Sequence, residues 1–230
     1  DPRRQRQMCI RDSLYTEMIV ANAIIRGDRK KLLSFKKIQN PVALQVGGSN
    51  ESELAEACKI SEQYGYKEIN LNLGCPSKKV QKNKFGACLM QEPKLVARCI
   101  ESMAKATKLP ITIKTRIGYN EVEDFEFLKS FIQTTKDAGS QKFIIHARKA
   151  LLKKLTPKEN LNIPPLKYDF VYKLKDFFKN DEIIINGGIK TSGDIKNHLK
   201  KVDGVMIGRA IYHSPYSVSY THLRAHETPV

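Results

Sequence analysis

One cysteine in this sequence is well placed for acid–base or nucleophilic chemistry. Cys75 stands in the string Asn72-Leu73-Gly74-Cys75-Pro76-Ser77, directly after a run typical of a β-strand. Glycine permits a tight bend and proline cannot continue strand pairing, so the loop is expected to hold the thiol rigidly. A thiol held in this way can donate a proton or attack an electrophile. We therefore predict that Cys75 is the catalytic residue.

Three other cysteines are expected to pack rather than to react. Cys58 and Cys99 lie on apolar faces of predicted helices, and Cys88 lies in a Phe-Gly-Ala-Cys-Leu segment. The chain has five cysteines in all and no C-x-x-C pair. This spacing argues against a disulfide framework or a zinc site, and no metal is expected.

Two polar residues interrupt apolar runs that are typical of strands. Lys114 lies inside Ile111–Thr115, where an unpaired buried charge is costly, so its side chain is expected to face a cavity and an anionic or electron-rich ligand. His146 ends the run Phe143–His146. A histidine in such a place is more often structural, but opposite Lys114 it becomes a candidate contact to a cofactor or substrate.

Two glycine-containing turns follow the last two predicted strands. They are Asn186-Gly187-Gly188 and Gly208-Arg209. Glycines expose backbone N–H groups, and such turns before a helix favour phosphate, as after the seventh and eighth strands of many barrels. The dinucleotide pattern G-x-G-x-x-G does not occur. The two turns together therefore favour FMN over a tightly held dinucleotide.

The elements that must position these residues alternate along the chain. Short β-branched runs are separated by helical patterns, which predicts a parallel sheet that is either doubly wound or closed as a barrel. The seven predicted strands are Leu14–Val20, Val42–Val46, Ile69–Leu73, Ile111–Thr115, Phe143–His146, Ile183–Asn186 and Val205–Ile207.

Polar residues at the carboxyl ends of different strands favour the barrel. In a barrel these ends converge on one mouth, whereas an open sheet concentrates them at a single switch point. The sequence therefore predicts an α/β (β/α)8 TIM barrel. The residues at the strand ends are Gln45, Asn72, Lys114, His146, Asn186 and Arg209.

The two ends of the chain are expected to be foreign to the barrel. Residues 1–13 and 217–230 show no periodic apolar pattern and resemble translated sequencing-adapter sequence. The barrel domain is assigned to residues 14–216, with its first strand missing. The last strand, which ends near Ile207, is then expected to have an open edge, an unstable arrangement.

Composition limits the classes of partner. No apolar run approaches the roughly 20 residues that a membrane span needs, and no signal peptide is present, so no membrane partner and a cytoplasmic location are expected. The net charge of +16 favours polyanions such as RNA. A lysine-rich proteome explains this charge equally well, so the charge permits an RNA partner without proving one.

Nine segments together resemble the DusA branch of the tRNA dihydrouridine synthases, from Leu14 to about Pro215. The strings around Cys75 are typical of the family, and HARKA with LTPKEN is typical of the branch. The segments are LYTEM, PVALQVGGS, INLNLGCPS, FGACLM, ITIKTRIG, FIIHARKA, LTPKENLNIPPL, INGGI and DGVMIGRA.

This resemblance implies a complete reaction. NADPH reduces FMN, which passes hydride to C6 of uracil while Cys75 protonates C5, at D-loop uridines 20 and 20a of tRNA. The target base must leave its stack to reach the flavin. FMN would be held by Gln45, Lys114, His146, Asn186, Gly187, Gly188, Gly208 and Arg209. Asn72 and Arg148 would contact the tRNA. Lys149, Lys153, Lys154 and Lys158 follow the strand that ends at His146 and are candidates to contact the tRNA backbone, but a solvated surface explains these four lysines equally well.

The chain departs from the family pattern in three places. The first strand with its Pro-Met-Met flavin contact and the C-terminal helical domain are missing, and Leu161 stands where members often have arginine. Two other functions stay open: an FMN barrel acting on a free pyrimidine, as dihydroorotate dehydrogenases do, and a non-catalytic RNA-binding barrel. High lysine content and the LTPKEN segment argue against the first, and retention of Cys75, Lys114 and His146 argues against the second. No protein partner is implied.

Overall fold

A computed structural model of the chain describes residues 8–10, 13–36, 41–152 and 154–210. Within these ranges the β-segments are β1 Met8–Ile10, β2 Ser13–Tyr15, β3 Ile19–Val20, β4 Val42–Gly47, β5 Glu68–Asn72, β6 Ile111–Arg116, β7 Lys142–His146, β8 Glu182–Asn186 and β9 Gly204–Ile207. The α-helices are α1 Ala21–Arg26, α2 Arg29–Leu33, α3 Glu51–Ser61, α4 Lys78–Lys82, α5 Pro93–Ala106, α6 Phe125–Asp137, α7 Tyr168–Phe177 and α8 Ser192–Leu199.

The predicted parallel arrangement is confirmed from β4 to β9, which pair in chain order. Their observed ends differ from the predicted ends by one residue at most. The predicted strand Leu14–Val20 is instead broken into β2 and β3, both parallel to β4. At the break, the Thr16 hydroxyl accepts a hydrogen bond from the Gln45 backbone N–H at 2.9 Å.

The prediction that the last strand has an open edge is wrong. β1 pairs antiparallel with β9, with Cys9 opposite Ile207, and also with β2. Since β2 pairs with β4, β1 closes the ring of strands. A strand of three residues is too short to show an alternating pattern, so sequence patterns do not reveal it. That residues 1–13 and 217–230 are foreign to the domain stays a prediction, and 217–230 lie outside the described residues.

Side chains alternate between the inside of the barrel and the surrounding helices, as the pleat of a strand requires. The apolar floor of the barrel consists of Tyr15, Ala43, Ile144, Ile184 and Met206. Two residues further along the chain from four of these residues lie Gln45, His146 and Asn186, at the ends of their strands, and Gly208, just past the end of β9. The candidate site therefore rests directly on a packed apolar layer.

A buried carboxylate occupies the opposite, amino-terminal end of the strands. Glu68 accepts hydrogen bonds from the hydroxyls of Thr112, at 3.0 Å, and Tyr15. Its other oxygen pairs with Lys142 Nζ at 2.5 Å. Burial, and then the charge of Glu68, raise the pKa of Tyr15, so this phenol stays neutral. Every charge of this group therefore has a partner, as a buried ion pair requires.

The helices cover the outside of the barrel with the apolar stripes that the sequence predicts. α5 begins with Pro93 at its first turn and buries Val96, Cys99, Ile100 and Met103. Cys58 is buried on α3, which begins at an Asn50 cap. Burial raises the pKa of Cys58 to about 12 and that of Cys99 to about 11. Both thiols are packed and protonated, which confirms the prediction that they are structural.

Candidate active site

The carboxyl ends of the strands surround one large cavity, with a volume of about 1280 Å³. This exceeds the roughly 300–1,000 Å³ of a typical small-molecule pocket, so the cavity has room for a cofactor and a second ring. The predicted residues that line it are Gln45, Asn72, Cys75, Lys114, His146, Arg148, Asn186, Gly187, Gly188, Gly208 and Arg209.

The loop that carries Cys75 is fixed by the side chain of Asn72. Asn72 Oδ1 accepts hydrogen bonds from the backbone N–H groups of Gly74, at 3.1 Å, and Cys75, at 2.9 Å. Asn72 Nδ2 donates to Gln45 Oε1 at 2.7 Å. The Cys75 carbonyl accepts from Ala87 N–H at 3.0 Å, and its thiol is half-buried at the cavity wall. Asn72 therefore holds the Cys75 loop in place through contacts within the protein, without needing a ligand.

Lys114 and His146 give the cavity floor an unusual electrostatic character. No described residue forms an ion pair or hydrogen bond with Lys114 Nζ, although the side chain is mostly buried. Burial, helped by the charge of Arg116, lowers the pKa of Lys114 to about 8. Burial and the charges of Arg116 and Lys114 lower the pKa of His146 well below its ordinary value. The imidazole is therefore neutral near pH 7, beside a cation that lacks a described partner.

Three buried polar atoms on the cavity wall have no hydrogen-bond partner among the described residues. They are Gln45 Nε2, His146 Nδ1 and Arg148 Nε. Each such group costs roughly 1–3 kcal/mol when it stays unsatisfied. A ligand that fills the cavity with acceptors opposite these atoms would remove this cost. The residues of this wall therefore suit a polar ligand.

The turn after β8 forms a cradle that only glycine can build. Gly187 and Gly188 have φ angles of +114° and +72°, in the region that favours glycine. A Cβ on Gly188 would lie 2.5 Å from Leu166 Cδ1 and 2.9 Å from Tyr168 Oη. Tyr168 Oη in turn donates to the Gly187 carbonyl at 2.7 Å. No described residue accepts from the two glycine N–H groups, which leaves them for an anionic ligand.

Arg116 is a site residue that the sequence reasoning missed. Its buried guanidinium donates to three carbonyl oxygens: Gly74 at 2.9 Å, Lys149 at 3.0 Å and Asn160 at 3.1 Å. No carboxylate among the described residues pairs with it. Arg116 therefore joins the Cys75 loop to the 149–160 loop. Alternation along β6 could have found it, because it shares the inward face of Lys114.

Asn160, also missed, folds the LTPKEN segment onto the barrel. Its side chain is fully buried, accepts from Leu151 N–H at 2.7 Å and donates to carbonyls of the same loop. Thr156 and Glu159 form a reciprocal capping pair before it, with Thr156 N–H donating to Glu159 Oε2 at 2.7 Å. The LTPKEN segment therefore stabilises the fold of its own loop.

Replacing Arg116 by lysine is expected to lower the free energy of unfolding by about 2–3 kcal/mol, because hydrogen bonds to a charged group contribute about 1.5–3 kcal/mol each and lysine cannot span this fork. Urea denaturation measures the change. Arg98→Lys is the matched control, since the Arg98–Glu51 pair is exposed to solvent and its loss should change the free energy of unfolding much less. Equal changes in the two variants would contradict the role assigned to Arg116.

The lysines predicted to contact RNA after β7 are not on the cavity wall. Lys149 pairs with Glu123 at 3.1 Å, and Lys154 pairs with Glu121 at 3.1 Å on the exposed surface. Lys158 is exposed, and Lys153 lies outside the described residues. Two of these lysines therefore already have carboxylate partners.

The two arginines at the rim contact the segment that follows LTPKEN. Arg209 is exposed and donates to Asn162 Oδ1 at 3.0 Å and to the Leu161 carbonyl at 3.3 Å. Arg148 donates to the Pro164 carbonyl. Leu161 lines the cavity itself. The segment therefore forms one side of the cavity mouth.

The described residues contain neither a membrane-spanning helix nor a metal-binding group of side chains. No helix in the described ranges combines the length and apolar character needed to cross a membrane. Among the same residues, no three His, Cys, Asp or Glu side chains come together as a metal-binding group.

Comparisons with known proteins show which proteins this chain is similar to. The family model for dihydrouridine synthase (Dus) matches residues 3–229. Curated relatives named tRNA-dihydrouridine(20/20a) synthase are similar over most of the chain: the Synechocystis sp. protein is 51% identical over 92% of this chain, and the Yersinia pestis protein 52% over 88%. The chain spans 63% and 59% of the length of these two relatives.

A solved structure described as QR15, an aldolase, shares the fold alone. It aligns with a TM-score of 0.52 at 11% identity, over 80% of this chain and 72% of that chain. Together with the closed ring of strands, this confirms the predicted barrel class. The family model matches nearly the whole length of this chain. The chain therefore belongs to the dihydrouridine synthase family.

Proposed function

We propose that this chain carries the catalytic barrel of a tRNA dihydrouridine synthase, which reduces uridine to 5,6-dihydrouridine at D-loop positions 20 and 20a with FMN and NADPH. The observation that carries the proposal is the position of Cys75, fixed over a cavity whose floor holds an unpartnered lysine and a neutral histidine. The names of the similar proteins support the substrate and the position.

The residues present fit FMN. Gln45 Nε2 and Lys114 Nζ are donors without a described partner, which suits the electron-rich N1–C2=O edge of a flavin ring. His146 Nδ1 is a third unsatisfied atom on the same wall. The N–H groups of Gly187 and Gly188 suit a phosphate. Asn186, Gly208 and Arg209 complete the predicted set around the cavity.

The chemistry needs one hydride and one proton for each uridine. Bound FMN, reduced by NADPH, supplies the hydride that reaches C6 of uracil. Cys75 donates its thiol proton to C5, so that the C5–C6 double bond becomes a single bond. The thiolate that remains is stabilised by the positive charges of Lys114 and Arg116 and regains a proton from water. Only general acid chemistry is then required of the protein's own groups.

The uridine must leave its stack to reach this cavity, because the cysteine lies at a wall inside the barrel mouth. The volume left beside a cofactor accommodates a pyrimidine ring, and Asn72 or Arg148 at the wall could contact its edge or ribose. Arg148 keeps one N–H without a described partner, which suits this contact.

Two measurements on the purified protein test the proposal. A flavin absorbance spectrum is expected, and with NADPH the protein should form dihydrouridine in tRNA but leave free orotate and dihydroorotate unchanged. Turnover of a free pyrimidine without turnover of tRNA would favour the dihydroorotate dehydrogenase-like function instead. Binding of tRNA without flavin would favour a non-catalytic RNA-binding barrel.

A further inference from the structure

Four lysines directly after the catalytic loop form a positively charged surface, the α4 patch: Lys78, Lys79, Lys82 and Lys84. All four are exposed, and no described residue forms an ion pair with any of them. The sequence from Gly74 to Gln91 contains no Asp or Glu. The α4 patch is therefore a block of positive charge without a carboxylate partner in the described structure.

The α4 patch is fixed rigidly to the Cys75 loop. Val80 is buried beneath the short helix, and the Ser77 side chain accepts from Val80 N–H at its start. Gln81 Nε2 donates to the carbonyls of Pro76, at 2.8 Å, and Leu152, at 2.7 Å. Since Val80 and Gln81 face the protein, the lysines face outward. Chain geometry keeps Lys78 within about 10 Å of Cys75.

This arrangement is unfavourable for the protein by itself. Lys78 and Lys82 stand four residues apart on one helix face, where like charges repel and destabilise a helix. Lys84 has a φ angle of +55°, a left-handed conformation that is unfavourable for a residue other than glycine. A bound polyanion would offset the repulsion, and strain of this kind is often retained where a side chain has a function.

The α4 patch differs from Lys149 and Lys154, two of the lysines after β7, in one respect that bears on RNA binding. Lys149 and Lys154 each have a carboxylate within 3.1 Å, so a phosphate would have to compete with Glu123 or Glu121. On the α4 patch a phosphate meets no such competitor among the described residues. Contacts there release counterions without breaking an ion pair.

We propose that the α4 patch is the surface that binds backbone phosphates of the tRNA beside the uridine in the cavity. The inference rests on the proposed function, because it takes tRNA as the substrate. It adds the place where the RNA backbone lies, next to Cys75. The lysines after β7 then have a secondary role.

The test is the salt dependence of tRNA binding by the variant Lys78→Gln/Lys79→Gln/Lys82→Gln. Glutamine keeps the helix propensity and length of lysine but removes its charge. Each lost phosphate contact lowers the log–log salt slope by about 0.7–0.9, so the slope should decrease by about two to three. The KM for tRNA should rise accordingly. The flavin absorbance spectrum should not change, since these residues do not line the cavity.

A matched control separates local contacts from net charge. Lys173→Gln/Lys179→Gln/Lys200→Gln removes the same charge from three exposed positions, one on α7, one just past α7 and one just past α8, none of which lines the cavity. Its slope should change by less than one. Lys154→Gln should also have a small effect, because Lys154 is paired with Glu121.

Three outcomes distinguish this inference from the proposed function. If the unmodified protein binds tRNA and forms dihydrouridine but the α4 variant has the slope of the control, the α4 patch is not the phosphate surface. If Lys154→Gln changes the slope more than the α4 variant does, the surface lies after β7. If the unmodified protein neither binds nor reduces tRNA, both the proposed function and this inference are wrong.

Discussion

Replacing Cys75 by alanine is expected to lower the rate of dihydrouridine formation by about 10²–10⁴-fold, the usual contribution of a general acid. FMN binding and NADPH oxidation should persist, because neither needs the thiol proton. The alanine leaves the loop intact, since Asn72 holds its backbone through the N–H groups of residues 74 and 75. The assay compares dihydrouridine formed in tRNA with NADPH consumed.

The other cysteines provide the controls. Cys58→Ala and Cys99→Ala remove buried thiols and should lower the free energy of unfolding while leaving turnover of the folded protein unchanged. Cys88→Ala should behave in the same way. Among the described residues, the Cys88 thiol forms one hydrogen bond, to the Phe85 carbonyl at 3.1 Å. Near-normal dihydrouridine formation by Cys75→Ala would show that another group supplies the proton.

Two lysines inside the barrel are expected to give opposite results when each is replaced by methionine. Lys114→Met should stabilise the ligand-free protein by about 1–3 kcal/mol, since each unit of pKa depression corresponds to about 1.4 kcal/mol. Lys142→Met should destabilise it by about 3–5 kcal/mol, because it leaves the buried Glu68 carboxylate without its cation. Urea denaturation of both variants at pH 7 measures the two effects.

Ligand binding supplies the second half of this prediction. Lys114→Met should weaken FMN binding by roughly 10–100-fold, the equivalent of one lost hydrogen bond from a charged group. Lys142→Met lies at the other end of the strands and should retain the affinity of whatever protein remains folded. If Lys114→Met stabilises the protein but keeps its affinity for FMN, Lys114 does not contact the cofactor. Destabilisation by Lys114→Met would mean that its charge has a partner.

The free energy of unfolding of the ligand-free protein is expected to gain a rising contribution from Lys114 between about pH 8 and pH 10.5. The folded protein loses the Lys114 proton near pH 8, whereas the unfolded chain keeps it up to the ordinary value of 10.5. In this range the unfolded chain binds more protons, so stability increases with pH. Subtracting the pH profile of Lys114→Met isolates the contribution. A flat difference would contradict it.

The barrel and its mouth could be predicted from the sequence because both depend on local, repeating signals. Six strands were placed to within one residue, since β-branched runs between helical patterns are local features. Alternation within a strand then decided which side chains face inward, and convergence of strand ends decided that Lys114 and His146 share a cavity. Strict use of the same alternation on β6 would also have found Arg116.

The structural features that could not be predicted from the sequence depend on contacts between residues far apart in the chain. The closure of the ring by β1 joins Cys9 to Ile207, and neither segment has a pattern that specifies its partner. The link from Arg116 to Asn160 depends on the path of a loop. Which lysines have carboxylate partners likewise depends on the spatial positions of Glu121 and Glu123. Pairing of this kind is fixed by packing across the fold. Only the tertiary structure therefore decided that Asn72 holds the Cys75 loop and that the lysines of α4 have no ion-pair partner among the described residues.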